Sequence, residues 1–288
     1  MAFWLNGEYR NDRGAINIAD RGFLLGDGVF ETLLVRNGVG AFLDAHLARL
    51  TKGLQALQID ALLPTDAGDI LPTLIAKNNI QGDASARITI SRGPAGRGLV
   101  FPDASEARAT VLITVQAAPD SKPEKQSSLR LKVSSLTRAE NSVSARLKTL
   151  NYLDNILARN EALAAGADDA VMLNNHGRVA CASSANVFII DQSGAVVTPP
   201  VNEGALPGIV RSLLLTASAE TGIDIREGSI RGTALQEGQV FLTNSLIGLR
   251  GCIMDGAPIR WSPKASQILQ RLQSWYEDRL RDDIARKA

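Results

Sequence analysis

The chain has 288 residues, 45% hydrophobic and 21% charged, and its 31 lysines and arginines against 30 acids leave a formal charge of +1. Near-neutrality gives no electrostatic reason to expect nucleic acid or an anionic membrane as a partner, and no run approaches the ~20 apolar residues of a spanning helix. Two cysteines, Cys181 and Cys252, and two histidines, His46 and His176, form neither a disulfide framework nor a metal-binding spacing. The length suits two ordinary domains or one large one. MAFWLNGEYRN lacks the basic region and apolar core of a signal peptide, so a reducing cytoplasm is the expected compartment.

Phe3–Asn6 reads as a short strand and Asn6–Gly7 as a turn. The segment Asp20–Thr32, DRGFLLGDGVFET, has the spacing GxGxxE without a third glycine or a clear preceding strand. It is a weak dinucleotide loop, and close backbone packing or a turn explains its glycines equally well. Phe30–Val35 follows as a strand. Asp44 is a candidate cap for a helix beginning AHLARLTKGLQAL, whose buried stripe is Leu47, Leu50, Leu54 and Leu57. Arg49 lies at the edge of that stripe, either salt-bridged there or reaching inward as an anion ligand. Ile70–Ile75 continues as helix and Ala86–Ser91 as an alternating strand. The glycine-rich loop Arg92–Pro102, RGPAGRGLVFP, is no Walker loop. It is a solvated turn or a flexible mount on which Arg92 and Arg97 present guanidinium groups to a carboxylate.

Ala109–Val115 is a β-branched strand. The polar, proline-containing QAAPDSKPEKQSS marks a domain boundary, giving an N-terminal α/β domain over 1–117, a linker over 118–128 and a second domain over 129–288. Leu129–Ser135 opens the second domain as a strand. Lys148 sits among mostly apolar and small residues just before a helical pattern over Asn151–Ala165. It is either a solvated surface lysine or a buried amine with a chemical role. If the chain is extended there, Arg146 and Lys148 share a face. Strands over Asp169–Leu173, Ser184–Ile190 and Ala195–Thr198 precede Pro207–Gly208, which opens a helix bearing Ile209, Leu213 and Leu214. Its first-turn N–H groups suit an anion, as those of any helix do. Val240–Leu246 is a strand ending in polar residues that either form a turn or complete a phosphate cup. Ser262–Pro263 starts a long amphipathic helix. Strands alternating with helices predict a mixed α/β architecture.

Taken together, RGFLLGDGVFET, HLARL, SRGPAGRG, KTLNYLDN, SSANVF, LPGIVR and LTNSL resemble, in order and across nearly the whole chain, the class IV aminotransferases, which are pyridoxal phosphate enzymes of fold type IV. That family includes D-amino acid aminotransferases, branched-chain aminotransferases and 4-amino-4-deoxychorismate lyases. The resemblance implies a two-domain D-amino acid aminotransferase-like fold, a homodimer and a small amino substrate. It also implies Lys148 as the Schiff-base lysine, Arg49 on the cofactor phosphate, backbone amides of Ile209 and Val210 on the same phosphate, and Asn244 and Ser245 in a second phosphate-contacting loop. Phe30 matches an aromatic pocket position. Leu25 stands where branched-chain enzymes usually carry an aromatic residue.

One departure bears on chemistry. The family usually places a glutamate, seven residues before the phenylalanine of NVF, against the pyridine nitrogen; here that position is Cys181. A thiol is a weak hydrogen-bond partner and supplies no carboxylate charge. Elimination that asks less of the ring, slower transamination and loss of activity with retention of the fold are all compatible with it. SRGPAGRG most resembles the aminodeoxychorismate lyase branch, although Leu99 replaces a usual aromatic residue, and Arg97 would suit a substrate carboxylate there. The expected reaction is conversion of 4-amino-4-deoxychorismate to 4-aminobenzoate and pyruvate, with an amino-acid aminotransferase of D-amino acid or branched-chain type as the alternative.

Overall fold

Period-2 and period-3.6 patterns alternate along the chain, and the computed structural model turns them into two sheets with helices against them. It describes residues 1–11, 16–64, 66–103, 108–119, 128–256 and 261–287. The chain divides into two compact units: Met1–Pro119 with Leu147–Asn151 and Leu280–Ala288, and Asp120–Arg146 with Tyr152–Arg279. This differs from a division by chain order, because the short segment carrying Lys148 and the end of the chain fall with the first unit. Of the expected linker 118–128, residues 120–127 lie outside the described residues.

The first unit contains β1 (Phe3–Leu5), β2 (Glu8–Arg10), α1 (Arg21–Leu25), β3 (Gly28–Arg36), β4 (Val39–Gly40), α2 (Leu43–Leu57), α3 (Ala67–Lys77), β5 (Ala84–Ser91) and β6 (Thr110–Ala117). Its six strands lie in the order β2-β1-β6-β5-β3-β4, antiparallel throughout. Alternation along β3 sends Val29, Leu33 and Val35 into a core with Leu50 and Leu54 of α2 and Leu71 and Leu74 of α3. Phe30 and Thr32 belong to the opposite face. Asp44 does not cap α2. The N-cap is Phe42 in the left-handed region (φ 51°), and its amide donates to Asp283 Oδ2 at 2.6 Å. Asp44 instead lies inside the first turn, where its charge suits the helix dipole.

The second unit contains β7 (Leu129–Val133), α4 (Val143–Arg146), α5 (Leu153–Ala164), β8 (Asp169–Leu173), β9 (Val179–Ala182), β10 (Asn186–Ile190), β11 (Val196–Thr198), α6 (Ile209–Thr216), α7 (Ser218–Thr221), β12 (Ile225–Glu227), β13 (Gln239–Asn244) and β14 (Gly248–Met254). The eight strands run in the order β12-β11-β10-β13-β14-β7-β8-β9. Phe188 and Phe241, opposite one another in β10 and β13, stack at 5.0 Å in its core. Helix α5 buries Ala158 and Ala162 against Ala170, Met172, Ala180 and Cys181. Its larger apolar residues, Leu153, Ile156, Leu157 and Leu163, are exposed. Small side chains bring this helix close to the sheet.

The last helix, α8 (Pro263–Ala285), buries Ile268, Leu272 and Ile284 of an expected packed face that also included Trp275, which is only half-buried and donates through Nε1 to Glu220 Oε2 at 2.9 Å. Among the described residues no helix is long and apolar enough to cross a membrane.

Candidate active site

In the first unit the chemistry gathers around β3. Lys148 is not buried in a helix. Its segment adds an antiparallel bridge to the start of β3 at Val29–Thr149. Phe30 N donates to Lys148 O at 2.9 Å and Leu150 N to Gly28 O at 3.0 Å. A Cβ on Gly28 would meet Ile90 O at 2.5 Å and the Leu150 side chain at 2.8 Å, so the GDG segment serves close backbone packing. The expectation that Arg146 shares an extended face with Lys148 is corrected, because Arg146 ends the short helix α4. There it donates to Glu140 O at 3.1 Å.

Lys148 Nζ lies 4.2 Å from the centroid of the Phe30 ring, and the Arg87 guanidinium carbon lies 3.7 Å from the same centroid. The register pairs Phe30 with Thr89 and Thr32 with Arg87, so all four share one sheet face. Arg87 is exposed and its Nε donates to Thr89 Oγ1 at 3.1 Å. Sequence reading passed over Arg87 and Thr89. Their signal was the alternation in ARITIS, which sets both opposite the buried Ile88 and Ile90.

Arg49, at the edge of the α2 stripe, is bound to Glu31, another residue the motif reading passed over. Arg49 Nε donates to Glu31 Oε1 at 2.7 Å and a terminal nitrogen to Oε2 at 2.6 Å. His46 Nδ1 meets Oε2 at 2.7 Å. Glu31 and His46 are fully buried, whereas the Arg49 side chain is 14% exposed. Burial acts to raise the Glu31 carboxyl, but hydrogen bonds from Arg49 and His46, with the Arg49 charge, bring it down to about 2. Burial chiefly, with the Arg49 and Lys148 charges, lowers His46 against the pull of Glu31, favouring a neutral ring.

The arginines of the glycine-rich loop separate. Arg92 is buried and committed, donating to Asp27 at 2.8 and 3.1 Å, to Leu57 O at 2.6 Å and to Gln58 O at 2.8 Å. It also stacks on Phe101 at 3.9 Å. The suggestion that Arg92 offers its guanidinium to a substrate is therefore corrected: Asp27 and two carbonyls occupy it. Arg97 is exposed on the same loop.

In the second unit, Gly208 is the N-cap of α6 and no side chain caps the first turn, which begins with the buried Ile209 and Val210. A Cβ at Gly208 would lie 2.0 Å from Asn186 Oδ1. At the end of β13, Asn244 Oδ1 accepts from the amides of Leu246 and Ile247, each at 2.9 Å, and its Nδ2 donates to Ser184 O at 3.1 Å. The Asn244 side chain thus builds the turn that carries Ser245. Beside it, the buried Thr243 Oγ1 has no hydrogen-bond partner among the described residues. Cys181 is buried in β9 among alanines. Burial pushes its thiol up, opposed by the Arg138 charge, so it carries no negative charge near neutral pH.

Residues 28–253 match the model of amino-transferase class IV, and the chain belongs to that family. Three similar proteins bear three different activities in their names. The aminodeoxychorismate lyase of Bacillus subtilis is 31% identical over 249 residues, covering 85% of this chain and 83% of the relative. The D-alanine aminotransferase of Bacillus licheniformis is 30% identical over 234 residues, 80% of each chain. The crystal structure of a branched-chain aminotransferase from Thermoproteus uzoniensis shares the fold, with a TM-score of 0.85 at 23% identity, covering 99% of this chain and 97% of that one. Class IV aminotransferases are pyridoxal phosphate enzymes of transaminase or lyase type that act on small amino substrates.

The residues present suit that cofactor. Lys148 supplies an amine for an aldehyde, and Arg49 supplies a guanidinium. Taken by itself, the second unit offers the uncapped first turn of α6, where a Cβ on Gly208 would intrude, as a place of the kind that would suit an anion.

Proposed function

We propose that this protein is a pyridoxal phosphate-dependent lyase that converts 4-amino-4-deoxychorismate to 4-aminobenzoate and pyruvate. The observation that carries the reading is the shared Phe30 ring, which holds the Lys148 amine and the Arg87 guanidinium on one sheet face. An amine and an exposed cation that share one ring suit a substrate carrying both an amino group and carboxylates. Similarity to the Bacillus subtilis lyase over most of both chains supports the choice of substrate.

In this reading Lys148 holds the cofactor, and Arg49, the amides of Ile209 and Val210, and Asn244 and Ser245 hold its phosphate. When bound, the cofactor supplies an electron sink for the substrate carbon that bears nitrogen. Lys148 Nζ would take the proton from that carbon as general base. The enolpyruvyl C–O bond then breaks, the ring becomes aromatic, and the leaving enol takes up a proton as pyruvate. Substrate atoms balance without water, oxidant or reductant. Arg87 and Arg97 are assigned to the substrate carboxylates, and Phe30 forms the pocket wall beside Lys148. The neutral, buried Cys181 supports elimination over transamination, because it offers the ring no carboxylate. We further assign the protein to the cytoplasm, to folate biosynthesis and to a homodimer.

The direct test incubates the holoprotein with aminodeoxychorismate and, separately, with D-alanine or a branched-chain amino acid. The expected outcome is 4-aminobenzoate and pyruvate in equal amounts. Stoichiometric conversion of the cofactor to its amine form by amino acids, without lyase products, would replace this reading with an aminotransferase.

A further inference from the structure

The Glu31–His46–Arg49 cluster is built more tightly than joining a helix to a strand requires. Both Glu31 oxygens are engaged, and Oε2 serves two donors at 2.6 and 2.7 Å. Glu31 grips the guanidinium through Nε and one terminal nitrogen. Holding this edge fixes the plane and heading of a group that otherwise swings on a long flexible side chain. His46 precedes Arg49 by three residues on α2 and clamps the same carboxylate from the buried side.

We propose that Glu31 and His46 are positioning residues that fix the Arg49 guanidinium in the orientation in which it receives the cofactor phosphate. The proposal rests on the reading of Arg49 as a phosphate ligand. It adds that the ligand is effective because a buried carboxylate restrains it before the phosphate arrives. Charge alone argues the other way. An ionised Glu31 offsets Arg49 and repels a phosphate dianion, so a purely Coulombic account has Glu31 weakening the anchor.

This opposition of signs makes the test. Apo-protein is titrated with pyridoxal 5′-phosphate and with phosphate-free pyridoxal, and binding is read from visible absorbance. Glu31→Gln, which keeps the shape and removes the charge, is expected to weaken binding of the phosphorylated cofactor about tenfold, the scale of one charge-assisted hydrogen bond. It leaves pyridoxal binding unchanged, and its effect disappears in an Arg49→Ala background. His46→Gln shifts binding in the same direction by less, and carries the test if Glu31→Gln fails to fold.

Unchanged or tighter phosphate binding in Glu31→Gln overturns the proposal. So does an equal loss for pyridoxal, or a loss that persists without Arg49. If Arg49→Ala alone leaves both affinities unchanged, the reading of Arg49 as phosphate ligand fails, and the proposal fails with it. If Arg49→Ala weakens only the phosphorylated cofactor while Glu31→Gln does nothing, the positioning role alone fails.

Discussion

The two units hold their candidate site residues in different ways. In the first, the chemistry is in side chains: Lys148 and Arg87 on one aromatic ring, and Arg49 bound to a buried carboxylate. In the second, it is chiefly in the backbone. The first turn of α6 lacks a side-chain cap, and the Asn244 side chain is committed to shaping a turn. Side-chain chemistry can be removed by truncation, whereas backbone chemistry is disturbed only by adding atoms or moving the chain. Substitutions in the two units should therefore fail differently.

The largest effect is expected at Lys148. Lys148→Ala should lower turnover at least about a thousandfold, since it removes both covalent attachment and the general base, and should abolish the visible band that borohydride reduces. A retained band would place attachment elsewhere. In the second unit the corresponding break is an addition. In Gly208→Ala the new methyl meets Asn186 Oδ1, and denaturant titration should show a loss of about 2 kcal/mol, the scale of overpacking a tight site. Unchanged stability would mean that the Asn186 side chain yields.

Arg87→Leu is expected to raise KM about tenfold with little change in unfolding midpoint, as loss of one exposed carboxylate contact would. If kcat falls and KM does not, Arg87 acts on the reacting atoms rather than on binding.

A further effect lies in acid stability. The Glu31 carboxyl lies at about 2 in the fold against a usual 4.5. A depressed carboxyl contributes stability that is fully present above about 4.5 and is lost as pH falls toward about 2. Urea midpoints measured across that window should fall less steeply in Glu31→Gln than in the parent. Equal slopes would mean that the ion pair is already broken at higher pH.

Motif reading was most complete where residue type and period coincide. The α2 stripe and the core strands could be read from residue types and spacing, whereas the segments around Lys148 and Gly208 stood out only through their resemblance to a family. The partners could not. Glu31 looks like any strand acid until α2 is placed against β3, because its role depends on His46 and Arg49 arriving from another element. Arg87 was hidden for the same reason, since the register between β3 and β5 brings it to Phe30. Arg92 was misjudged because a glycine-rich loop suggests exposure, while Asp27 and the end of α2 draw that side chain inward. The split of α5 between a buried alanine face and exposed leucines also reversed what hydrophobicity alone suggests. Packing distance, rather than apolar surface, chose the buried side.

The edge bridge between Val29 and Thr149 has a consequence for how the first unit comes into being. Lys148 reaches Phe30 only after the intervening chain has been made, and Phe42 finds its acceptor Asp283 only after a separation of 241 residues. The amino-terminal sheet can begin to form early, yet the Lys148 amine and the Asp283 acceptor of the Phe42 amide are later arrivals from distant sequence. A nascent chain released before those segments emerge would lack both the Lys148 amine and the Asp283 acceptor. The Lys148 amine is therefore acquired only after the sheet that receives it has been synthesised.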